Sequence, residues 1–582
     1  MPQIRPAALR IHLARRTLRP PSFSPLYSPL RRQFSHKPPC LILTSNRTVL
    51  RPQLPFLHPS GQSFYTGQPI LRLFSITAND KKWVKETAKL TVKYTFYIWV
   101  ITTLFSIASL GFLSERQERA FPSPHEWSLY TRFRFRRGKW WEVPENNEDE
   151  GFPNWARLYA EYQHALRRLE DPNKDGKGII EQEGEPIPGL GKAGFDLTEK
   201  SEEWRQGYYE VLMGMARASE RLEGWVSDKW RWNAWSPEFI ESPSNPRPRA
   251  TPPGMPPPPA KEDQIAIADP PESFYLRVLT SKGFTTYQRV SAALGYADWL
   301  SFKKLNDSAE EMYRWALDIA ISGLPTSDTK SVIDPETAIL SASAPRDAIT
   351  PNLIFAATNM ATFYASTGRI TSALPIFISV LRARLAAEPG PASPPQPQQD
   401  SSFIGTILSL LKEPAYPPLP PTGDEPLRRR QEDRCEEAAL KNYIGEILFA
   451  TAGSSSSQQK QGLDWVRDGV STAKIAQSFD VIQKDPARKK KCETCEEVGL
   501  ESWGKIMTYL AAEARRERDA AKSGGITNLL WKLKGTAGLD KKVEDLEDEE
   551  EGVTLRLNKL RSRMLREEYE EMDKKYSRKF VF

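Results

Sequence analysis

Twenty consecutive residues without a charge or a proline, Tyr94 to Leu113, constrain this chain more than any other feature. At the α-helical rise such a run spans about 30 Å, the thickness of a bilayer's hydrocarbon core, which predicts a transmembrane helix over 94–113. Tyr94, Tyr97 and Trp99 crowd one end, where an interfacial aromatic belt would sit. A buried core helix is the competing reading. A secretory signal is not, because the run starts too late and is too long.

The residues ahead of the run suggest which membrane. Met1 to Asn79 carries ten Arg, one Lys and no Asp or Glu. Arg-rich, Ser-rich and acid-free is the composition of a mitochondrial transit peptide, and IRPAALRIHLARRTLR can form a short basic amphipathic helix. Arg-x-Phe-Ser occurs at Arg32–Ser35 and again at Arg72–Ser75. Both resemble the site cut by the matrix processing peptidase, and cleavage between Phe74 and Ser75 would remove a presequence over 1–74. Eleven of the 81 basic residues precede Ser75, leaving 70 against 74 acidic ones. The formal net charge of +7 therefore belongs to the presequence, and nothing invokes nucleic acid, whose binding needs clustered phosphate-neutralising charge.

Five lysines (81, 82, 85, 89 and 93) precede the helix, while Glu115, Arg116, Glu118 and Arg119 follow it and cancel. This asymmetry predicts an N-terminal side in the matrix and a soluble part facing the intermembrane space. RFRFRRGKWW, Arg132 to Trp141, puts five cations on the other side, with anionic headgroups as their expected partner.

The large soluble part reads as all-α with internal repeats. In AATNMATFYASTGRITSALPIFISVL, small or apolar residues fall at Ala357, Met360, Ala361, Tyr364, Gly368, Ala373, Phe377 and Val380, the spacing of a tetratricopeptide (TPR) unit. Ala361 and Ala373 would let two antiparallel helices approach, and Gly368 would end the first. AALGYADWLSFKKLNDSAEEMYRWALDIA places Ala297, Leu300, Ala309, Tyr313 and Ala316 in the same slots. Weaker copies are EEAALKNYIGEILFA with GLDWVRDGVSTAK, CEEVGLESWGKIMTYL, WARLYAEYQHALRRL and WRQGYYEVLMGMARASERL. One repeat cannot bury its own apolar face, so the expected architecture is a TPR solenoid of about 5–6 helix pairs behind one N-terminal transmembrane helix.

The expected organisation is a presequence (1–74), a membrane helix (94–113), a juxtamembrane segment with first helices (114–235) and a Pro-rich insertion (236–271). TPR repeats (272–388), a second Pro-rich insertion (389–426) and C-terminal repeats (427–535) follow, then an acidic turn and a charged capping helix (536–582). The apolar island FIGTILSLL, 403–411, is expected to dock back or to meet a partner.

Chemistry-bearing patterns are few. Cys492 and Cys495 form a CxxC with neither a second CxxC nor a histidine nearby, so zinc is disfavoured and buried helical cysteines are the expected reading, with a local disulfide as the alternative. Asp171, Asn173, Asp175 and Gly176 satisfy half of a calcium loop, but Gln182 stands where a bidentate Glu is needed, so a polar turn is expected. HExxH, GxSxG and GxxxxGK[ST] are absent. The sequence thus predicts a binding module rather than an enzyme, with no cofactor and no metal. TPR geometry places Trp299, Lys303, Asn359 and Phe363 in a candidate peptide groove.

Presequence, single anchor and repeat domain, with the AATNMATFYASTGRI unit, the KKCETCEEVGLESWGKI helix and the PAYPPLPPTGDEP loop, together resemble the fungal TPR adaptor subunits of the mitochondrial i-AAA protease. The resemblance covers roughly Lys81 to Ser523. It implies an inner-membrane protein that binds unfolded or misfolded clients and presents them to the AAA protease, without catalytic residues of its own. A TPR scaffold or assembly factor for a respiratory-chain complex is the alternative.

Overall fold

The computed structural model describes residues 78–146, 153–181, 194–230, 233–251, 253–254, 256–390, 416–453, 455–523 and 529–579. Phe74, Ser75 and the 403–411 island lie outside these. The chain divides into two units, Met1–Phe96 and Tyr97–Phe582.

Helix α1, Ala78–Ala120, contains the whole apolar run. Its most apolar window buries nothing inside the protein, which excludes a core helix and is compatible with a single-pass anchor. The hydroxyls within that window are satisfied along the helix: Thr102, Thr103, Ser106 and Ser109 each donate to the carbonyl four residues back. Such bonds let hydroxyls sit in hydrocarbon without an orphaned donor.

Thirteen further helices follow among the described residues, and each packs mainly on its neighbours in sequence. They are α2 (Leu129–Glu142), α3 (Trp155–Leu169), α4 (Glu202–Arg221), α5 (Pro271–Thr280), α6 (Thr286–Phe302), α7 (Asn306–Ser322), α8 (Pro351–Ser366), α9 (Ile370–Ala386), α10 (Arg434–Thr451), α11 (Ser456–Gln477), α12 (Asp480–Lys484), α13 (Pro486–Ser523) and α14 (Leu529–Lys579). The all-α expectation is met. Helix starts are capped where the sequence supplies caps: Asn154 accepts from Arg157, Ser201 from Trp204, Thr350 from Leu353, and Thr285 with Gln288 forms a capping box on α6. One continuous core runs from Trp127 to Ile447, and Ala297, Ala309, Ala361 and Ala373, the small residues expected between paired helices, are fully buried in it.

The two best-patterned pairs, α6–α7 and α8–α9, turn identically. After α6, Lys304 has φ +62°, its N–H donates to Ser301 O, and Leu305 N–H donates to Leu300 O. After α8, Gly368 has φ +81°, its N–H donates to Ala365 O, and Arg369 N–H donates to Tyr364 O. Both are Schellman caps.

Short strand pairs close the base of each Pro-rich insertion. β3 (Val226–Asp228) pairs antiparallel with β4 (Ala234–Trp235) and with β5 (Gln264–Ala266), and β6 (Glu388–Pro389) pairs parallel with β7 (Arg428–Arg429). A third pair joins β1 (Ile180–Glu181) to β2 (Phe195–Asp196).

Two expectations are corrected here. EDLEDEEEG is not a turn: it lies inside α14, where Glu547 pairs with Arg515, Glu549 with Arg467 and the Trp503 indole, and Glu550 accepts from Thr508. Glu517 pairs with Lys542, Arg515 with Glu547 and Glu497 with Arg561, so α13 and α14 form an antiparallel hairpin, and Arg467 of α11 adds a second cation to the acidic run. The cations of RFRFRRGK do not face outward unpaired. Arg132 and Arg136 hold Glu118, Arg134 and Arg137 hold Glu161, and Lys139 holds Glu210. Glu118 is buried, so its two arginines satisfy a carboxylate that water does not reach.

Candidate functional site

Successive exposed residues on α8 are Phe355, half-buried Asn359, Thr362 and Ser366, the i, i+4, i+7, i+11 stripe of one helix face. On α6 the corresponding face begins with Tyr287, exposed and set against Phe355 with ring centroids 6.4 Å apart. Tyr443 of α10 is also exposed, with its ring stacked on Phe377 of α9 at 5.5 Å. The first members of three consecutive pairs thus each present an aromatic ring to solvent.

The return limb of the second insertion, residues 416–427, is bound at the start of this surface. Thr422 O accepts from Tyr287 N–H (3.1 Å) and from the Asn352 amide (3.0 Å), and Gly423 O accepts from Asn352 N–H (3.2 Å). Tyr287 and Asn352 are the second residues of α6 and α8, so two successive limb carbonyls satisfy two helix-start donors that have no partner within their own helices. Asp424 accepts from Thr286 Oγ1 (2.8 Å) and from the Asn352 amide (3.0 Å), a carboxylate at two helix N-termini. Gly423 has φ +77° and touches Asn352 so closely that no side chain fits there. Further back, burial pushes the Tyr416 phenol up, and Glu210 and Glu203 of α4 add to the effect.

Of the four residues singled out from sequence, Trp299 and Lys303 meet each other. Trp299, half-buried, stacks on Tyr296 at 6.0 Å and carries the Lys303 ammonium over its ring at 5.8 Å, while Lys303 pairs with Glu223. Asn359 donates to Phe355 O within its own helix. Phe363 is only 3% exposed and lies against Tyr313 at 4.8 Å, so it belongs to the core and offers nothing to a peptide. It sits about 40° further round α8 than Asn359, enough to carry it beneath α7. Tyr287, Phe355 and the 416–427 limb were missed. Phe355 was findable as the residue one turn before Asn359; the limb carries no periodic signal.

The remaining chemical patterns resolve into structure. Asp175 of the calcium-like loop accepts from Ser128 N–H and Oγ, from Thr131 Oγ1, and pairs with Arg168, capping the start of α2. Burial works against its ionisation, but the hydroxyl and backbone donors with Arg168 prevail and hold its pKa below the ordinary value. Cys492 bonds to Cys435, 57 residues away in α10, rather than to Cys495, which is a free thiol whose pKa burial raises. His125 faces Glu203 at 3.5 Å, and burial beside Arg134 lowers the pKa of His164. Among the described residues no three His, Cys, Asp or Glu side chains converge as metal ligands would. No protein-family model, curated protein or solved structure matches this chain.

Proposed function

We propose that this chain is a single-pass adaptor of the mitochondrial inner membrane whose TPR-like solenoid binds unfolded or misfolded proteins and hands them to the i-AAA protease. The observation that carries the reading is the row of solvent-facing aromatics on the first helices of successive pairs, with Tyr287 and Phe355 adjoining. Apolar rings at helical intervals can hold extended, unfolded segments weakly and without strict sequence choice. Sequential packing of the helix pairs supports a solenoid, and an anchor beside a membrane-bound protease would raise effective concentration without tight affinity. The Cys435–Cys492 disulfide supports a soluble part outside the matrix, since such bonds persist in oxidising compartments. Internal pairing of the Arg132–Lys139 cations weakens the charge argument against that orientation.

Affinity purification of the tagged full-length protein from gently solubilised mitochondria tests the proposal. Recovery of an AAA protease is the expected result, with denatured-client capture lost in a Tyr287→Ser/Phe355→Ser double variant. Recovery of respiratory-complex subunits without the protease would replace the adaptor with an assembly scaffold.

A further inference from the structure

The exposed residues of α2 are Leu129, Tyr130, Phe133 and Trp140, with half-exposed Arg137 among them. At 3.6 residues per turn they fall within an arc of about 100°, a single apolar and aromatic stripe. Leu129 is 77% exposed, and the opposite face of the helix, Thr131, Phe135 and Gly138, is buried in the body. A stripe this apolar on an otherwise packed helix calls for a cover.

Its place along the chain says what covers it. Arg136, from the middle of α2, donates through Nη1 to Ser114 O at 3.1 Å and pairs with Glu118. Ser114 follows Leu113, the last residue of the apolar run, so α2 crosses α1 at the level where that run ends. Phe121 meets Trp140 edge-on at 6.5 Å, holding the far end of α2 to the same segment. Where α1 leaves the hydrocarbon, therefore, α2 lies beside it with Tyr, Phe, Trp and Leu outward, the residue types that favour the headgroup boundary. Arg134 and Arg137 lie over the Tyr130 and Phe133 rings at 4.9 and 5.5 Å, and the guanidiniums reach Glu161 while the rings face out.

We infer that α2 is an interfacial helix: its Leu129–Trp140 stripe is seated in the headgroup–acyl boundary of the bilayer that α1 crosses, held by apolar contact rather than by its cations. The inference rests on α1 spanning a bilayer. The two can fail separately. A photoreactive benzophenone amino acid replaces, one at a time, Phe105 in α1, Phe133 or Trp140 in α2, and Phe302, an exposed residue of α6. The full chain is irradiated in nanodiscs of neutral phosphatidylcholine, and lipid adducts are measured by mass spectrometry. Adducts at 105, 133 and 140 several-fold above those at 302 are expected, with no dependence on added anionic lipid. A Phe133→Glu variant should lower the adduct at 140 without lowering the unfolding temperature in detergent, because the side chain is exposed. Adducts at 105 but not at 133 and 140 would overturn the interfacial helix alone; none at 105 would overturn the anchor as well. Adducts at 133 that require anionic lipid would assign the contact to the cations, and a protein adduct would assign the stripe to a partner chain. Either result overturns the inference.

Discussion

Lys304 and Gly368 do the same work with different chemistry. Each is the left-handed residue of a Schellman cap, but only glycine reaches that conformation without a Cβ clash. Lys304→Gly should therefore stabilise the protein by about 0.5–1 kcal/mol and Gly368→Ala should destabilise it by about 1 kcal/mol, read from denaturant midpoints. Gly368 announced its turn in the sequence, whereas Lys304 hid an identical one, and the α6–α7 pair was legible through Ala297, Leu300, Ala309, Tyr313 and Ala316. Asp175 is a second residue whose role depends on charge. Its folded pKa lies below the unfolded value of about 3.9, so its contribution is complete above that value and is lost as pH falls through the folded pKa. Asp175→Asn should lower stability by about 1–2 kcal/mol at neutral pH, the worth of a helix cap with charged donors, and the gap to wild type should close under acid. A gap unchanged from neutral pH to about pH 3 would show that the carboxylate's charge contributes nothing.

Helix elements were legible because apolar and small residues recur at helical intervals and because Ser, Thr and Asn stand at the starts of α3, α4, α6 and α8. What the sequence concealed is pairing between elements distant in the chain. Five clustered cations look like a surface patch until Glu118, Glu161 and Glu210 arrive from three other helices. An acidic run looks like a turn until Arg515 of α13 and Arg467 of α11 supply counter-charges. The CxxC drew attention to Cys495, yet the bond joins Cys492 to Cys435 across two helices. Closing a loop of that length restricts the unfolded chain, so Cys435→Ser should cost about 3–4 kcal/mol in unfolding experiments, while Cys495→Ser should cost little. Equal losses from the two would argue for exchange between the pairings. The 416–427 limb is another long-range element, held mainly through Asn352. Asn352→Ala removes two side-chain bonds from a residue only 1% exposed, for an expected loss of about 1–3 kcal/mol. Amide exchange at Tyr287 and Asn352 should accelerate with it, because the acceptors of both N–H groups lie on the limb. Stability loss without faster exchange at those two amides would mean that the limb stays bound by its backbone alone.

At the scale of the whole molecule, the apolar helix α1, the disulfide and the paired cations of α2 all bear on the orientation proposed above. A positive-inside count treats every Arg and Lys as free charge near the bilayer, but a cation already bonded to a carboxylate on the same folded body carries little net field. Counted that way, Arg132 to Lys139 offset little of the lysine excess that precedes α1. The disulfide points the same way, since a reducing matrix would leave Cys435 and Cys492 as thiols. Protease added to mitochondria with ruptured outer membranes should therefore digest the soluble body and spare only a short N-terminal fragment containing α1. The cysteines of the undigested protein should resist alkylation until a reductant is added, with Cys495 reacting only once the chain is unfolded, because it is partly buried. A body that survives protease until the inner membrane is also opened would reverse the topology. It would place the helical body in the matrix and overturn the proposed hand-over of clients in the intermembrane space.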